Sequence, residues 1–193
     1  MKGCDYKKRG DVVPEQWKAA LLVWLAGEFK LNTLVETGTC IGGLCREIHR
    51  HFDKIYTVEL SPEFYNKAKE NFKENNITNV RQYFGSSRVM LRAMLDDVPP
   101  GPVLIYLDAH GSGNGTVDEG HPLYDGDPLI DELKIVMKFR PEALIVIDDC
   151  ADCELEPAVN KGVDFTGWHK EYRTGEVIMY REGQYTVPPF EEV

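Results

Sequence analysis

The sequence has little positive charge. Its 22 lysines and arginines face 32 aspartates and glutamates, which gives a formal net charge of −10. A protein that grips the phosphate backbone of a nucleic acid usually carries a basic patch. The only basic cluster in the sequence is Lys7-Lys8-Arg9 beside Lys2, which we interpret as a solvated N-terminal segment. Nucleic acid is therefore disfavoured as the main partner.

Apolar runs of membrane-spanning length are also missing. The longest run near the start extends from Ala19 to Gly27, and Glu28 ends it, whereas a span needs roughly 20 residues. The five cysteines are odd in number and show no secreted disulfide framework. These absences predict a cytoplasmic protein with reduced thiols, no signal peptide and no membrane partner.

The pattern of apolar residues predicts the fold class. Strand and helix patterns alternate five times, and buried-type runs such as VLIYLD and ALIVIDD mark the strands. This pattern is typical of an α/β protein with a doubly wound, mostly parallel sheet and helices on both faces. Two late strands at 168–173 and 176–181 predict an antiparallel C-terminal hairpin and a total of seven strands. A single domain is expected over 1–193, with a helical extension at 1–30 and a core at 34–181.

Local signals predict several of the helices. In the extension, Trp17, Leu21, Trp24 and Leu25 recur at helical spacing, and Gly27 is expected to mark the helix end. A helix is also predicted over 42–52, and Ser61-Pro62-Glu63 is typical of a helix start with the serine as cap.

Acidic residues stand at four of the five predicted parallel strand ends. The strands end in Glu36, Glu59, Asp108 and the pair Asp148-Asp149, and the remaining one leads into Gly85-Ser86-Ser87. Parallel strands present their carboxyl ends at one edge, where ligands bind in such sheets. The first of these ends also opens a glycine-rich turn, LVETGTCIGG at 34–43. The sequence therefore predicts a ligand site at this edge.

Over residues 15–181 the order of these features resembles class I S-adenosylmethionine-dependent methyltransferases, and ETGTCIGG is similar to that family's first motif. The resemblance implies S-adenosylmethionine as the cofactor. Glu36 would face its ammonium, and Gly38 would let the backbone approach the methionine part of the cofactor. Thr37 and Gly42 belong to the same turn, and Gly42 with Gly43 would keep the start of the following helix slim. Glu59, 23 residues after Glu36, would bind the ribose hydroxyls.

The resemblance extends to the later motifs, with two departures. Ser86 and Ser87 stand near the expected adenine position, and Asp108 stands on the cofactor side of the fourth strand. Cys40 replaces the family's middle glycine, and Ser86 replaces a common acid.

Three aspartates resemble the metal site of metal-dependent O-methyltransferases of the catechol and macrocin types, and this resemblance implies a metal site here. Asp108, Asp148 and Asp149 could surround one Mg²⁺, which prefers oxygen ligands, and His110 would be the base that takes the acceptor proton. The alternative is that Asp108 contacts only the cofactor side and Asp149 caps the following helix.

The remaining features predict a surface lid and a structural cysteine pair. The polar stretch at 110–126 is long enough to be a lid that contributes His121 and Tyr124. Cys150 and Cys153 form a Cys-x-x-Cys that we interpret as structural, since zinc would need two more ligands.

The predicted function is methyl transfer to a hydroxyl of a small molecule, a sugar or a phenol. One alternative is a nicotinamide-dependent oxidoreductase on a Rossmann-like sheet, because Glu59 suits the ribose of NAD equally. The turn, however, lacks Gly-x-Gly-x-x-Gly. The other alternative is a non-catalytic, cofactor-binding relic of the fold. A homodimer is left open.

Overall fold

The computed structural model describes residues 15–109, 128–148, 155–160, 162–173 and 175–188. The helices in these ranges are α1 Glu15–Phe29, α2 Gly43–Ile48, α3 Pro62–Glu74, α4 Ser87–Asp97, α5 Leu129–Phe139 and α6 Leu155–Asn160. The strands are β1 Thr33–Thr37, β2 Lys54–Glu59, β3 Val80–Phe84, β4 Leu104–Leu107, β5 Leu144–Ile147, β6 Trp168–Tyr172 and β7 Val177–Arg181.

The strands form one sheet in the order β3-β2-β1-β4-β5-β7-β6. The first five strands of the chain run parallel to one another. Strand β7 pairs antiparallel with both β5 and β6. The prediction of a seven-stranded, mostly parallel sheet with an antiparallel C-terminal hairpin is confirmed.

Two separate apolar cores cover the two faces of the sheet. Alternate residues of each strand point to opposite faces, so Val35 belongs to one core and Leu34 to the other. Helices α4, α5 and α6 cover the Val35 face, and helices α1, α2 and α3 cover the Leu34 face. This arrangement leaves the carboxyl ends of the parallel strands as an edge between two helix layers.

Helix α1 differs in two respects from its prediction. It passes the expected end at Gly27 and stops at Phe29, where Lys30 takes φ +54° and the Leu31 amide bonds to the Ala26 carbonyl at 2.9 Å. This bond satisfies a carbonyl that the helix end would otherwise leave open. The expected apolar face also included Trp17, which is 37% exposed.

Helices α2 and α3 show where local signals were sufficient and where they were not. The helix predicted over 42–52 is regular only to Ile48 and continues as a short 3-10 turn, His49–His51. The predicted cap of α3 is present, because the Ser61 hydroxyl accepts a hydrogen bond from the Phe64 amide at 3.3 Å. Within the described ranges, no helix combines the length and apolar character needed to cross a bilayer.

Candidate functional site

The sheet register brings the predicted strand-end residues into one row. Residues of four adjacent strands pair directly with one another in the row before it: Val58, Thr37, Leu107 and Ile147. The residues that follow them stand at the edge in the order Glu59, Gly38, Asp108 and Asp148. Neighbouring strands lie about 4.8 Å apart. The edge therefore carries one acid on one side of Gly38 and two adjacent acids on the other.

Gly38 joins the glycine-rich turn to the end of β4. Its φ is +86°, and a Cβ at this position would lie 2.4 Å from the Asp108 carbonyl oxygen. Its amide donates to the Val58 carbonyl at 3.0 Å. Glycine is required here for both the left-handed backbone and the close approach of two chain segments. The predicted approach of a cofactor to this glycine stays a prediction.

Cys40 keeps the left-handed backbone that favours glycine, although a cysteine stands at this position. Cys40 has φ +50°, the backbone region that glycine adopts most easily. Its amide donates to Glu59 Oε2 at 2.7 Å, and this bond fixes the turn against β2. At Gly42, with φ +78°, a Cβ would lie 2.6 Å from the Phe72 ring. The predicted slim start of α2 is thus required by packing against α3.

Glu36 lies beneath the turn in a buried polar network. Its side chain is 2% exposed, and Oε2 accepts hydrogen bonds from the Thr57 hydroxyl at 2.5 Å and the Cys45 thiol at 3.1 Å. The hydroxyls of Thr57 and Thr39 lie 2.6 Å apart. Burial, followed by the negative charge of Glu36, raises the pKa of Cys45 well above its usual value. Cys45 is therefore a neutral donor that helps to hold the carboxylate.

Glu59 is held by backbone amides on both of its oxygens. Oε1 accepts from the Ser61 amide and Oε2 from the Cys40 amide, each at 2.7 Å. Burial raises the pKa of Glu59, and these backbone bonds oppose that rise. Each carboxylate oxygen has two lone pairs, so the backbone bonds leave acceptor capacity on both. The carboxylate is fixed in place before any ligand arrives.

The Gly85-Ser86-Ser87 segment connects β3 to α4. Gly85 has φ +139°, and its amide donates to the Glu59 carbonyl at 2.9 Å. Ser86 precedes the first residue of α4 and makes no side-chain cap hydrogen bond. Both serines are nearly buried, at 9% and 6% exposure. The segment therefore places two hydroxyls beside the end of β2, where the resemblance puts the adenine.

Asp108 and Asp148 form the acidic half of the edge. The Asp108 amide donates to the Thr37 hydroxyl at 3.1 Å and to the Thr37 carbonyl at 3.2 Å, so the buried Thr37 positions Asp108. Burial, and then the negative charge of Asp148, raise the pKa of Asp108 to about 10. Asp148 is fully buried, and its Oδ1 has no hydrogen-bond partner within the described residues.

Lys18 also belongs to this edge, although no motif in the sequence points to it. Its Nζ donates to Oδ2 of Asp148, and the two residues are 130 positions apart in the chain. The available signal was its place on α1, one helical turn before the buried Leu22. Reasoning from strand ends missed the lysine because its helix precedes the first strand.

Several predicted residues lie outside the described ranges. These are His110, Asp149, the stretch at 110–126 with His121 and Tyr124, and the pair Cys150 and Cys153. In the part of the chain that the structure describes, no group of three histidine, cysteine or acidic side chains could hold a metal ion. The predicted base and the predicted three-aspartate metal site stay predictions.

Solved structures with the same fold include several methyltransferases. The O-methyltransferase TomG from Streptomyces achromogenes, in complex with SAM, is 17% identical, with a TM-score of 0.62 over 86% of this chain and 80% of that one. An O-methyltransferase from Bacillus cereus, in complex with SAH, is 16% identical, with a TM-score of 0.62 over 89% and 83%. The ribosomal protein L11 methylase from Lactobacillus delbrueckii subsp. bulgaricus is 17% identical, with a TM-score of 0.52 over 86% and 77%.

The comparisons establish the fold of this chain. No protein-family model matches the sequence, and no curated protein matches it. The likeness therefore lies in the arrangement of helices and strands, which this chain shares with the solved structures named above. The fold expected from the resemblance is confirmed, and function must be argued from the site.

Proposed function

We propose that this chain is an S-adenosylmethionine-dependent methyltransferase that acts on a hydroxyl group of a small molecule. The observation that carries the proposal is the row Glu59, Gly38, Asp108 and Asp148 at the carboxyl edge of the sheet. A left-handed glycine turn lies at its centre, with a fixed carboxylate on one side and two adjacent carboxyl groups on the other.

The half of the edge around β1 and β2 suits the cofactor. Glu59 is held by two amides, so its remaining lone pairs can accept hydrogen bonds from two vicinal hydroxyls without rearrangement. Glu36 is a buried carboxylate held by neutral donors, and it would favour a cationic group placed above the turn. These two charges match the ribose and the ammonium of S-adenosylmethionine.

The half around β4 and β5 suits the acceptor. Asp148 offers a buried oxygen, Oδ1, without a hydrogen-bond partner of good geometry among the described residues, and Asp108 and Tyr106 lie close to the same carboxylate. An acceptor hydroxyl that donates to this oxygen would be held at the same edge as the proposed methyl donor, two strands from Gly38. Methyl transfer then needs the hydroxyl oxygen in line with the sulfonium methyl, which is chiefly a matter of positioning. The O–C bond forms as the S–C bond breaks, S-adenosylhomocysteine leaves, and the hydroxyl proton is released to water.

The order of the strands argues against the nicotinamide alternative. The dinucleotide-binding sheet has the order 3-2-1-4-5-6 with parallel strands. In this chain β7 is inserted antiparallel between β5 and β6. The solved neighbours that contain SAM or SAH carry the names of methyltransferases.

The hydroxyl acceptor is inferred from the chemistry of the edge. TomG and the Bacillus cereus protein are named as O-methyltransferases, whereas another neighbour is named as a methylase of ribosomal protein L11. The fold therefore accommodates different acceptors. The buried Oδ1 of Asp148 favours an acceptor group that donates a hydrogen bond, and a hydroxyl does so.

Magnesium is not part of this proposal. Two described carboxyl groups are adjacent, as a divalent cation would need, but Oδ2 of Asp148 already bonds to the Lys18 ammonium. A divalent cation on the same carboxylate would lie next to a like charge. The described residues therefore do not fit a divalent metal.

Calorimetric titration with S-adenosylhomocysteine tests the cofactor, with NADH as the comparison. We expect one-to-one binding of the former and none of the latter. Glu59→Gln should weaken S-adenosylhomocysteine by about 10-fold to 100-fold, because the amide replaces a charged acceptor. Glu63→Gln is the matched control, since Glu63 is exposed and pairs with Lys67; its affinity should equal that of the wild type.

A radiolabelled methyl donor and a panel of sugars and phenols test the reaction itself. Transfer to a hydroxyl is the expected result. NADH binding in place of S-adenosylhomocysteine would refute the cofactor assignment. Binding of S-adenosylhomocysteine without transfer to any of a broad panel of acceptors would favour the non-catalytic alternative.

A further inference from the structure

Helix α1 delivers one lysine to the edge of the sheet. Lys18, Leu22 and Leu25 are spaced by four and three residues and share one face of the helix. Both leucines are 0% exposed and pack in the core on the Leu34 face of the sheet. Packing of this apolar face against the sheet places Lys18 level with the carboxyl ends of the strands.

The ammonium of Lys18 lies against the innermost acid of the edge. Its Nζ donates to Oδ2 of Asp148, whose side chain is 0% exposed, while that of Lys18 is 14% exposed. A buried carboxylate needs a partner of opposite charge, because solvation by water has been lost. Asp108, on the neighbouring strand, also feels the positive charge of Lys18.

This contact places a positive charge where a metal ion would act. Mg²⁺ binds through carboxylate oxygens and tolerates little departure from octahedral geometry. Here one oxygen of Asp148 is already bonded to an ammonium, and a divalent cation on the other oxygen would be repelled by it. Lys18 is thus a resident monovalent cation, covalently part of the chain.

We propose that Lys18 replaces a divalent metal as the counter-ion of Asp148, so that the site works without a bound metal ion. Lys18 is then a positioning residue: it holds the Asp148 side chain in one orientation, with Oδ1 left for the acceptor. The inference rests on the proposed methyl transfer for its catalytic meaning. Its structural content, a cation site filled by a lysine, can be tested without methyl donor or acceptor.

The test is a titration with Mn²⁺ followed by electron paramagnetic resonance, which reports the free ion. Mn²⁺ is the probe because it accepts the same oxygen ligands as Mg²⁺. The wild-type chain should bind no Mn²⁺ at concentrations up to about 1 mM, which is well above the dissociation constants of many sites with oxygen ligands. Lys18→Met, which retains an apolar stem without the charge, should gain one Mn²⁺ site.

Two controls separate this gain from a general effect. Lys67→Met removes a lysine from the exposed ion pair with Glu63 and should gain no site. The double variant Lys18→Met with Asp148→Asn should lose the site that Lys18→Met gained. If Lys18 had a purely structural role, its removal would alter stability but would not create a metal site that depends on Asp148.

Two results would overturn the inference. One is stoichiometric Mn²⁺ binding by the wild type that Asp148→Asn removes. The other is a folded Lys18→Met chain that gains no site. If Lys18→Met does not fold by circular dichroism, Lys18→Gln takes its place, and the wild-type titration still decides between a metal site and none. S-adenosylhomocysteine binding is measured separately, so failure of the proposed function and failure of this inference give different results.

Discussion

The two halves of the sheet edge hold their acids in different ways. Around β1 and β2, Glu59 is bonded to backbone amides of Cys40 and Ser61, and Glu36 to the side chains of Cys45 and Thr57. These partners lie between 2 and 21 positions away in the sequence. Around β4 and β5, Asp148 depends on a lysine 130 positions away.

This difference separates a preformed half from a half that depends on the docking of a helix. Backbone amides of a turn are fixed as soon as the turn and its strands form, and they cost little further ordering entropy. A lysine side chain must be ordered from a distant helix, and its charge must lose water. We call the half around β1 and β2 the cofactor half and the half around β4 and β5 the acceptor half, after the roles that we propose for them. The cofactor half should tolerate perturbation of α1 better than the acceptor half.

Substitution at the junction of the halves should have the largest effect. Gly38→Ala would place a Cβ 2.4 Å from the Asp108 carbonyl oxygen at φ +86°. We expect a loss of about 3–5 kcal/mol in the free energy of unfolding, because backbone atoms must separate. Gly183→Ala is the control, with φ +79° and open space around it, and should cost about 1 kcal/mol. Urea denaturation measures both; equal losses would contradict the steric explanation.

Breaking the ion pair of the acceptor half should have the next largest effect. Lys18→Met leaves Asp148 buried without its counter-ion, and we expect a loss of about 2–3 kcal/mol, less than for a fully buried lysine. Adding Asp148→Asn should recover part of that loss. A double-mutant cycle from urea denaturation gives the coupling energy, and a coupling near zero would show that the pair contributes nothing.

A smaller effect is expected in the cofactor half. Thr57→Val preserves side-chain volume but removes a hydroxyl that donates to Glu36 Oε2 at 2.5 Å. The expected loss is about 2 kcal/mol, because a buried carboxylate loses a donor. Thr78→Val, at an exposed position, should change the free energy of unfolding by less than about 0.5 kcal/mol. If the two variants were equally stable in urea, the network would not hold Glu36.

The pH dependence of stability sharpens the comparison further. Because the pKa of Asp108 is raised to about 10, the folded chain keeps a proton that the unfolded chain releases near pH 4. Stability present below about pH 4 is therefore lost as the pH rises towards 10. Asp108→Asn should flatten this fall by up to about 1 kcal/mol per pH unit. The measurement is the free energy of unfolding as a function of pH, with the exposed Asp53→Asn as the control. If Asp108→Asn had the same slope as this control, the prediction would be refuted.

The sequence predicted the residues whose positions follow from a single element. Glu59 and Asp148 could be placed because a buried apolar run shows where a parallel strand ends. The start of α3 could be placed because Ser61-Pro62 is a local cap signal. In these cases the relevant interactions lie within a few residues.

Contacts between distant elements were not predictable in the same way. The pairing of Lys18 with Asp148 depends on how α1 docks on the sheet, and a helix with apolar residues on several sides does not reveal which side that is. The partners of Glu59 at Cys40, and the closeness of Gly38 to Asp108, depend on the strand register. The resemblance supplied roles for Glu59, Gly38, Asp108 and Asp148 but none for Lys18, and the structure supplied their mutual geometry.

The ion pair between Lys18 and Asp148 also bears on the order of folding. During synthesis, the chain would expose Lys18 long before the end of β5 is made, since 130 positions separate them. Closing so long a loop costs more entropy than the local turns of the cofactor half. The acceptor half is therefore expected to be among the last parts of the sheet edge to form. Hydrogen exchange during refolding should show the backbone amide of Asp148 becoming protected later than that of Glu59.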